Sequence, residues 1–325
     1  MNKHLYRIAP ILFLALFINS ISANSPGQKE FSIGLEFYSN KEYQKAAPWL
    51  KDAAKQGHPK AEFYVGMIYL FGHGLEKDKL KAHHWLTLSA EQNDPEAQHL
   101  VGLMHYKGDG IAKDYEKAKY WFQKAAKQQN PIALYMVATM YDRGHGFTKD
   151  QKQAANWYKQ AAKLGHTNAN YQLGLIYLNG DGLEQNYSLS AKHFRKAALA
   201  NHKQAQYFLG LAYDSGDGVA RNNINSAYWL QRSAQNGFSL AQYDLGIMYR
   251  MGNPINKDPA MALYWLFKAE AQNLAKAQFA IGTMFIEGLG VVQDMGQAKY
   301  WIKKSYGNGY KDTENLWEKL ELYKY

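Results

Sequence analysis

The chain repeats itself every 36 residues, and this period constrains its fold more than any local motif does. The turns Gly72-His73-Gly74, Gly108-Asp109-Gly110, Gly144-His145-Gly146, Gly180-Asp181-Gly182, Gly216-Asp217-Gly218 and Gly288-Leu289-Gly290, with a degenerate Gly252-Asn253-Pro254, all fall on a 36-residue step. Ala61, Ala97, Ala133, Ala169, Ala205, Ala241 and Ala277 keep that step, as do Gly66, Gly102, Ala138, Gly174, Gly210, Gly246 and Gly282. A third series is Trp85, Trp121, Trp157, Trp229, Trp265 and Trp301, with His193 in the vacant slot. A fixed period of roughly 20–50 residues marks stacked supersecondary units, each of which buries its apolar face only against its neighbours.

Each period reads as two helices. In the first, Ala169, Leu173, Gly174 and Tyr177 recur at helical spacing along one stripe. The second begins after Asp78, Asp114, Asp150, Asn186, Asn222, Asp258 and Asp294, side chains that accept from the free amides of a helix start. Its buried face is expected to carry the tryptophans. It ends at Gly57, Asn93, Gly165, Asn201, Gly237, Asn273 and Gly309, with Gln129 breaking the series; Gly and Asn tolerate the left-handed backbone that terminates a helix. A glycine inside a helix costs about 1 kcal/mol relative to alanine. Its return at one slot of the first helix predicts that two helices touch there and need the room.

The Gly-x-Gly turn reads as a backbone hinge. Its glycines persist while the residue between them varies among His, Asp, Asn and Leu. The nucleotide templates fail, because Gln185 stands where a dinucleotide fingerprint needs its third Gly and Asp181 where a phosphate loop needs Lys. Leu183 and Tyr187 interrupt any calcium-ligand series.

The ends depart from the pattern, as the termini of a stack must when one face meets water. Trp49 follows Gly34 by 15 residues where later units have 19, so the first turn is four residues short. The segment 310–325 loses the period but keeps Leu316, Trp317, Leu320 and Leu322 for an amphipathic capping helix. The expected organisation is a signal peptide over 1–23, a solenoid of about eight helix pairs over 24–309, and a capping helix over 310–325.

The run A-x-x-x-L-G-x-x-Y-x-x-G-x-G, followed by D-x-x-x-A-x-x-W/F, A-A and G, resembles the Sel-1-like repeat, a relative of the tetratricopeptide repeat. Seven units match almost in full; the first, with its short turn, resembles a plain tetratricopeptide unit. The resemblance spans about 28–309. It implies an all-α, right-handed superhelical α-solenoid whose first helices line the concave side, and a scaffold or adaptor that binds other proteins.

The first 23 residues read as a secretory signal. Lys3 and Arg7 precede an apolar run from Ile8 to Ile18, and Ala23 offers a cleavage site. The run is short of the ~20 residues that span a bilayer, so no transmembrane segment is expected after cleavage. With no cysteine in the chain, disulfides and thiol chemistry are excluded, and export without disulfides suggests a bacterial periplasm or exterior. Formal charge is +10, or +8 once Lys3 and Arg7 are removed. The lysines scatter over second-helix positions such as Lys119, Lys124, Lys159 and Lys196, the ordinary pattern of a solvated face. No nucleic-acid module is present, and nucleic acid is not an expected partner.

No catalytic, cofactor or metal constellation emerges. Cysteine-rich bacterial relatives of the repeat have been linked to β-lactams, but S-x-x-K, S-D-N, K-T-G, H-E-x-x-H and G-x-S-x-G are all missing. His83 and His84 are adjacent on a helix and point about 100° apart, poorly placed to share an ion. His99 and His105 occupy slots that other units fill with Tyr or Phe, such as Tyr135 and Tyr141, and read as core. Most of the 14% aromatic content is likewise assigned to repeat core.

Slots that vary between units are free for a partner. On the first helix, positions 60, 64, 67 and 71 lie within about 60° of arc, opposite the Gly66 and Tyr69 face. The expected partner-binding residues on the concave face are Lys60, Tyr64, Met67, Phe71, Leu100, Leu103, Lys107, Ile132, Met136, Arg143, Leu240, Ile247 and Met251. Apolar side chains facing a groove mark interaction sites, unless neighbouring helices cover them. The sequence thus predicts an exported, non-enzymatic α-solenoid that binds a protein or peptide. The alternative is a cell-envelope glycan- or β-lactam-interacting protein.

Overall fold

A computed structural model describes residues 25–311 of the chain. The signal segment expected over 1–23 lies outside the described residues, as does the capping helix beyond Lys311. Among the described residues there are sixteen helices and no strand, arranged as successive pairs of an α-solenoid. The pairs are α1 (Gln28–Ser39) and α2 (Tyr43–Lys55), α3 (Pro59–Phe71) and α4 (Lys79–Glu91), α5 (Pro95–Lys107) and α6 (Tyr115–Lys127), and α7 (Pro131–Arg143) and α8 (Gln151–Lys163). They continue as α9 (Thr167–Asn179) and α10 (Tyr187–Leu199), α11 (Lys203–Ser215) and α12 (Asn223–Gln235), α13 (Ser239–Met251) and α14 (Pro259–Glu270), and α15 (Ala275–Glu287) and α16 (Met295–Gly307). The chain divides into two compact units, Met1–Ala133 and Leu134–Tyr325, and the division falls within α7.

The caps set these bounds. Asp78, Asp114, Asp150, Asn186, Asn222, Asp258 and Asp294 each accept a hydrogen bond from the backbone amide three residues on, as the sequence predicts. Past the second helices, Asn93, Asn201 and Asn273 take positive φ. So does Gln129, at φ 58°. The apparent break in the series is a residue in the same left-handed conformation as the asparagines. The first helices have caps of their own that the periodicity did not reveal: Asp94 and Asn130 by oxygen, and His58, His166 and His202 by Nδ1. An imidazole can cap a helix only while it is neutral.

Within each pair, the residue that fills the core is the one after the tryptophan. Phe122, Leu86, Leu230 and Leu266, and Phe194 after His193, are 2% exposed or less, while of the described tryptophans only Trp121 and Trp265 are buried. Each of these core residues meets the glycine slot of its partner helix. A Cβ on Gly66 would stand 2.6 Å from Leu86 Cγ, and one on Gly102 would stand 2.8 Å from the Phe122 ring. The expected close approach is there, and it lets the helices interlock at the density of a close-packed interior.

Between successive pairs, the turn is a docking point as well as a hinge. Gly182 has φ 74°, and a Cβ on it would stand 2.5 Å from the carbonyl carbon of Gln151 at the start of α8. The residue between the glycines also takes part. Asp109 pairs with Lys79, and His73 stacks on Tyr43 with ring centres 4.4 Å apart. Side-chain amides add a ladder between pairs: Gln128 donates to Gln98 in unit 1, and Asn236, Gln272 and Asn308 donate to Gln206, Gln242 and Gln278 in unit 2. The acceptors are buried and the bonds satisfy them, as buried polar groups require. In the rung before these, Gln92 donates to a carboxylate, Glu62, over 2.8 Å.

Candidate functional site

The first-helix stripe that the sequence singles out takes two forms. In unit 1, Met67, Leu100 and Leu103 are buried, at 2%, 5% and 5% exposure. Met67 and Leu100 belong to one core cluster with Leu70, Leu86 and Met104. The expectation that they face an open groove is therefore corrected. The reason is cover from the next helix pair: Met67 on α3, whose sequence PKAEFYVGMIYLF is largely apolar, packs in one cluster with Leu100 and Met104 of α5. Tyr64 and Phe71 are half-buried, and Ile132 is 38% exposed. Lys60 and Lys107 are exposed, and Lys60 Nζ lies 2.6 Å from the carboxylate of Asp94 and 3.6 Å from that of Glu96. At the N-terminal end of unit 2, Met136 is also buried, at 7%, while Arg143 is exposed.

Further along unit 2 the same slots open. Met251 is 70% exposed and Leu211, in the slot of Met67, is 36% exposed. Leu240 and Ile247 are half-buried between them. Asp244 is half-buried on the same helix, α13; burial raises its carboxyl above the usual carboxylate range, partly offset by the hydrogen bond that Tyr207 donates to it and by the nearby Lys276. The sequence missed the role of Tyr207 because its slot carries an aromatic ring or imidazole in every unit from 63 onward, which reads as core.

A second surface escaped the sequence reading. Tyr228, Tyr264 and Tyr300 stand 49%, 49% and 53% exposed on α12, α14 and α16. Each lies edge-on to the tryptophan that follows, with ring centres 5.1, 5.1 and 5.0 Å apart. Each also has a cation four residues on: Arg232, Lys268 and Lys304, at 5.9, 5.5 and 5.9 Å from the ring centres. Tyr120 and Lys124 repeat the arrangement in unit 1 at 4.7 Å. The signal was present, since adjacent residues on a helix point about 100° apart and a Tyr-Trp dipeptide cannot bury both rings.

The histidines also pair differently from the expectation. His84 turns outward against Trp85, and His83 instead meets His105 of α5, Nε2 to Nε2 at 3.3 Å. Burial lowers the basicity of both rings, and each is next to the other or to Lys117. Nδ1 of His105 is buried without a hydrogen-bond partner. Among the described residues, no three His, Cys, Asp or Glu side chains converge as a metal cage, and no helix is long and apolar enough to cross a membrane.

The profile of the Sel1 repeat matches eight consecutive segments, 34–58, 59–94, 95–130, 131–166, 167–202, 203–238, 239–274 and 275–310. The chain belongs to the Sel1 repeat family. The profile takes in the first, short-turned pair, which by its sequence resembled a plain tetratricopeptide unit. Among solved structures, a protective antigen of uropathogenic Escherichia coli strains that displays an SLR fold is similar, with TM-score 0.84 and 29% identity over 91% of this chain. This chain spans 65% of that protein's length. A Sel1 repeat protein from Oxalobacter formigenes is similar with TM-score 0.69 and 28% identity, over 91% of this chain and 87% of that one. No curated protein matches the sequence. Sel1 repeats are helical scaffolds that generally mediate protein interactions, and the helix pairs described above have that repeat architecture.

Proposed function

We propose that this Sel1 repeat protein is an exported, non-catalytic adaptor that holds a protein or peptide against the first helices of unit 2. The observation that carries the reading is the change along the stripe, from buried Met67 and Leu103 to exposed Leu211 and Met251. Stacking accounts for the first two and leaves the last two without a use. Apolar side chains on α11 and α13, the latter also carrying the half-buried carboxylate of Asp244, suit a partner segment with apolar anchors and a donor. Interfaces concentrate their energy in a few such residues. Export rests on the composition of residues 1–23, and N-terminal sequencing of the native protein should begin at Asn24.

The test is capture of partners from the native cell envelope. Leu211→Glu, Ile247→Glu and Met251→Glu together should abolish capture and leave the circular dichroism spectrum intact. Lys124→Glu, Lys159→Glu and Lys196→Glu on second helices are the control and should retain the partner. The reverse outcome would place the binding face on the second helices. One observation favours a second reading, the repeated tyrosines at 228, 264 and 300, whose exposed rings beside cations suit stacking on an anionic envelope glycan. Cosedimentation with peptidoglycan that is lost in Tyr264→Ala would select it.

A further inference from the structure

The geometry points to a two-histidine site for a borderline transition-metal ion between α4 and α5, formed by Nε2 of His83 and Nε2 of His105. Zinc–imidazole bonds are about 2.0–2.1 Å long, so two nitrogens at a tetrahedral angle on one ion stand roughly 3.3–3.4 Å apart. The observed separation is 3.3 Å. As a direct hydrogen bond it is long, beyond the 2.7–3.2 Å usual for an N–H donor. The ring centres are 5.1 Å apart and the planes are crossed at 89°. That is closer than a collinear N–H···N arrangement allows. The ring axes are therefore bent off the N···N line, as they are when two lone pairs aim at a third point.

The donor set fixes the class of ion. Two neutral imidazoles as the donors, with the Asp114 carboxylate near the His105 ring, suit Zn²⁺, Cu²⁺ or Ni²⁺ better than the oxygen-seeking Ca²⁺ or Mg²⁺. His105 is 7% exposed and His83 is half-buried, so the ion enters from the His83 side and water completes its shell. Two protein ligands make a weaker site than a structural zinc centre with four. Lys117 opposes it as the cation near both rings; its Nζ is held 3.9 Å from the carboxylate of Asp114. The site is separate from the first-helix strip of unit 2 and stands or falls independently of it.

Zn²⁺ titration of the purified full chain, with any affinity tag removed, tests the inference by calorimetry and by thermal melting. The expected result is one equivalent bound per chain with a raised melting temperature. His83→Gln and His105→Tyr should each weaken uptake at least tenfold, while His84→Gln leaves it unchanged. Tyrosine is the residue found at the position of His105 in neighbouring units, as Tyr69 and Tyr141. Lys117→Gln should tighten binding severalfold, an effect that a purely hydrogen-bonded pair would not produce. The partly exposed His83 keeps the test readable if His105→Tyr disturbs folding. Absence of saturable Zn²⁺ uptake by the unmodified chain, or uptake by the histidine variants equal to that of the unmodified chain, would overturn the site.

Discussion

The first helices α3 and α5 of unit 1 and α9, α11 and α13 of unit 2 occupy the same slots of the same repeat, yet the former are enclosed and the latter half-open. In unit 1, α3 buries Phe63, Val65, Met67, Ile68 and Leu70 on several sides at once. In unit 2, α9, α11 and α13 bury a single stripe each, such as Ala205, Gln206, Leu209 and Gly210 on α11. The helix-pair interface is common to both; only the opposite face differs. A repeat can thus keep one architecture while it divides its length between a segment that carries stability and a segment that carries surface.

The largest effect should appear where the units agree. Gly66→Leu and Gly174→Leu each drive a side chain into a facing core residue, Leu86 or Phe194. Each should cost several kcal/mol, about 3 or more, in urea denaturation. A small cost at either position would show that the interlock is not shared.

Next come the positions where the units differ. Met67→Ala removes a side chain that is 2% exposed and should cost about 2–4 kcal/mol. Met251→Ala, at 70% exposure, should stay within about 0.5 kcal/mol. Equal costs in the same denaturation assay would erase the contrast between the units.

The amide ladder sharpens it through pH. Glu62 occupies the slot that Gln206, Gln242 and Gln278 hold in unit 2, and burial raises its carboxyl to about 7, partly offset by the hydrogen bond from Gln92. The folded pKa lies above the unfolded value of 4.5. The protein therefore carries no penalty below about pH 4.5 and loses stability as pH rises through 7, by roughly 1–3 kcal/mol. Glu62→Gln should remove that loss, raising the melting temperature at pH 8 and changing it little at pH 5.

A second pH effect has the opposite sign and is read in unit 2. Burial lowers His166 and His202 to about 4, and each caps its helix through a neutral Nδ1. Their folded pKa lies below the unfolded 6.5, so their contribution is complete above pH 6.5 and is lost as pH falls toward 4. Replacing both with Asn, the capping residue at position 130, should flatten the melting temperature between pH 7 and 5 by an amount worth about 1 kcal/mol per cap. An unchanged acid limb would mean that these caps do not titrate with folding.

The period by itself determined the number of helix pairs, their bounds to within a residue or two, the second-helix caps and the glycine contact, as at Gly66 and Leu86. Each of these depends on residues inside one repeat, and seven in-register copies reveal which slots are fixed. The tertiary structure alone decided which varied slots are open. Met67 and Leu211 share a slot and differ in exposure because cover comes from the next helices in the stack, whose bulk no single slot records. It also decided the pairings between repeats: Lys79 with Asp109, Gln128 with Gln98, and His83 with His105 and not with the adjacent His84. Side chains on one helix diverge by about 100° per residue, whereas residues some 20 to 30 apart are brought face to face only when one helix packs on another.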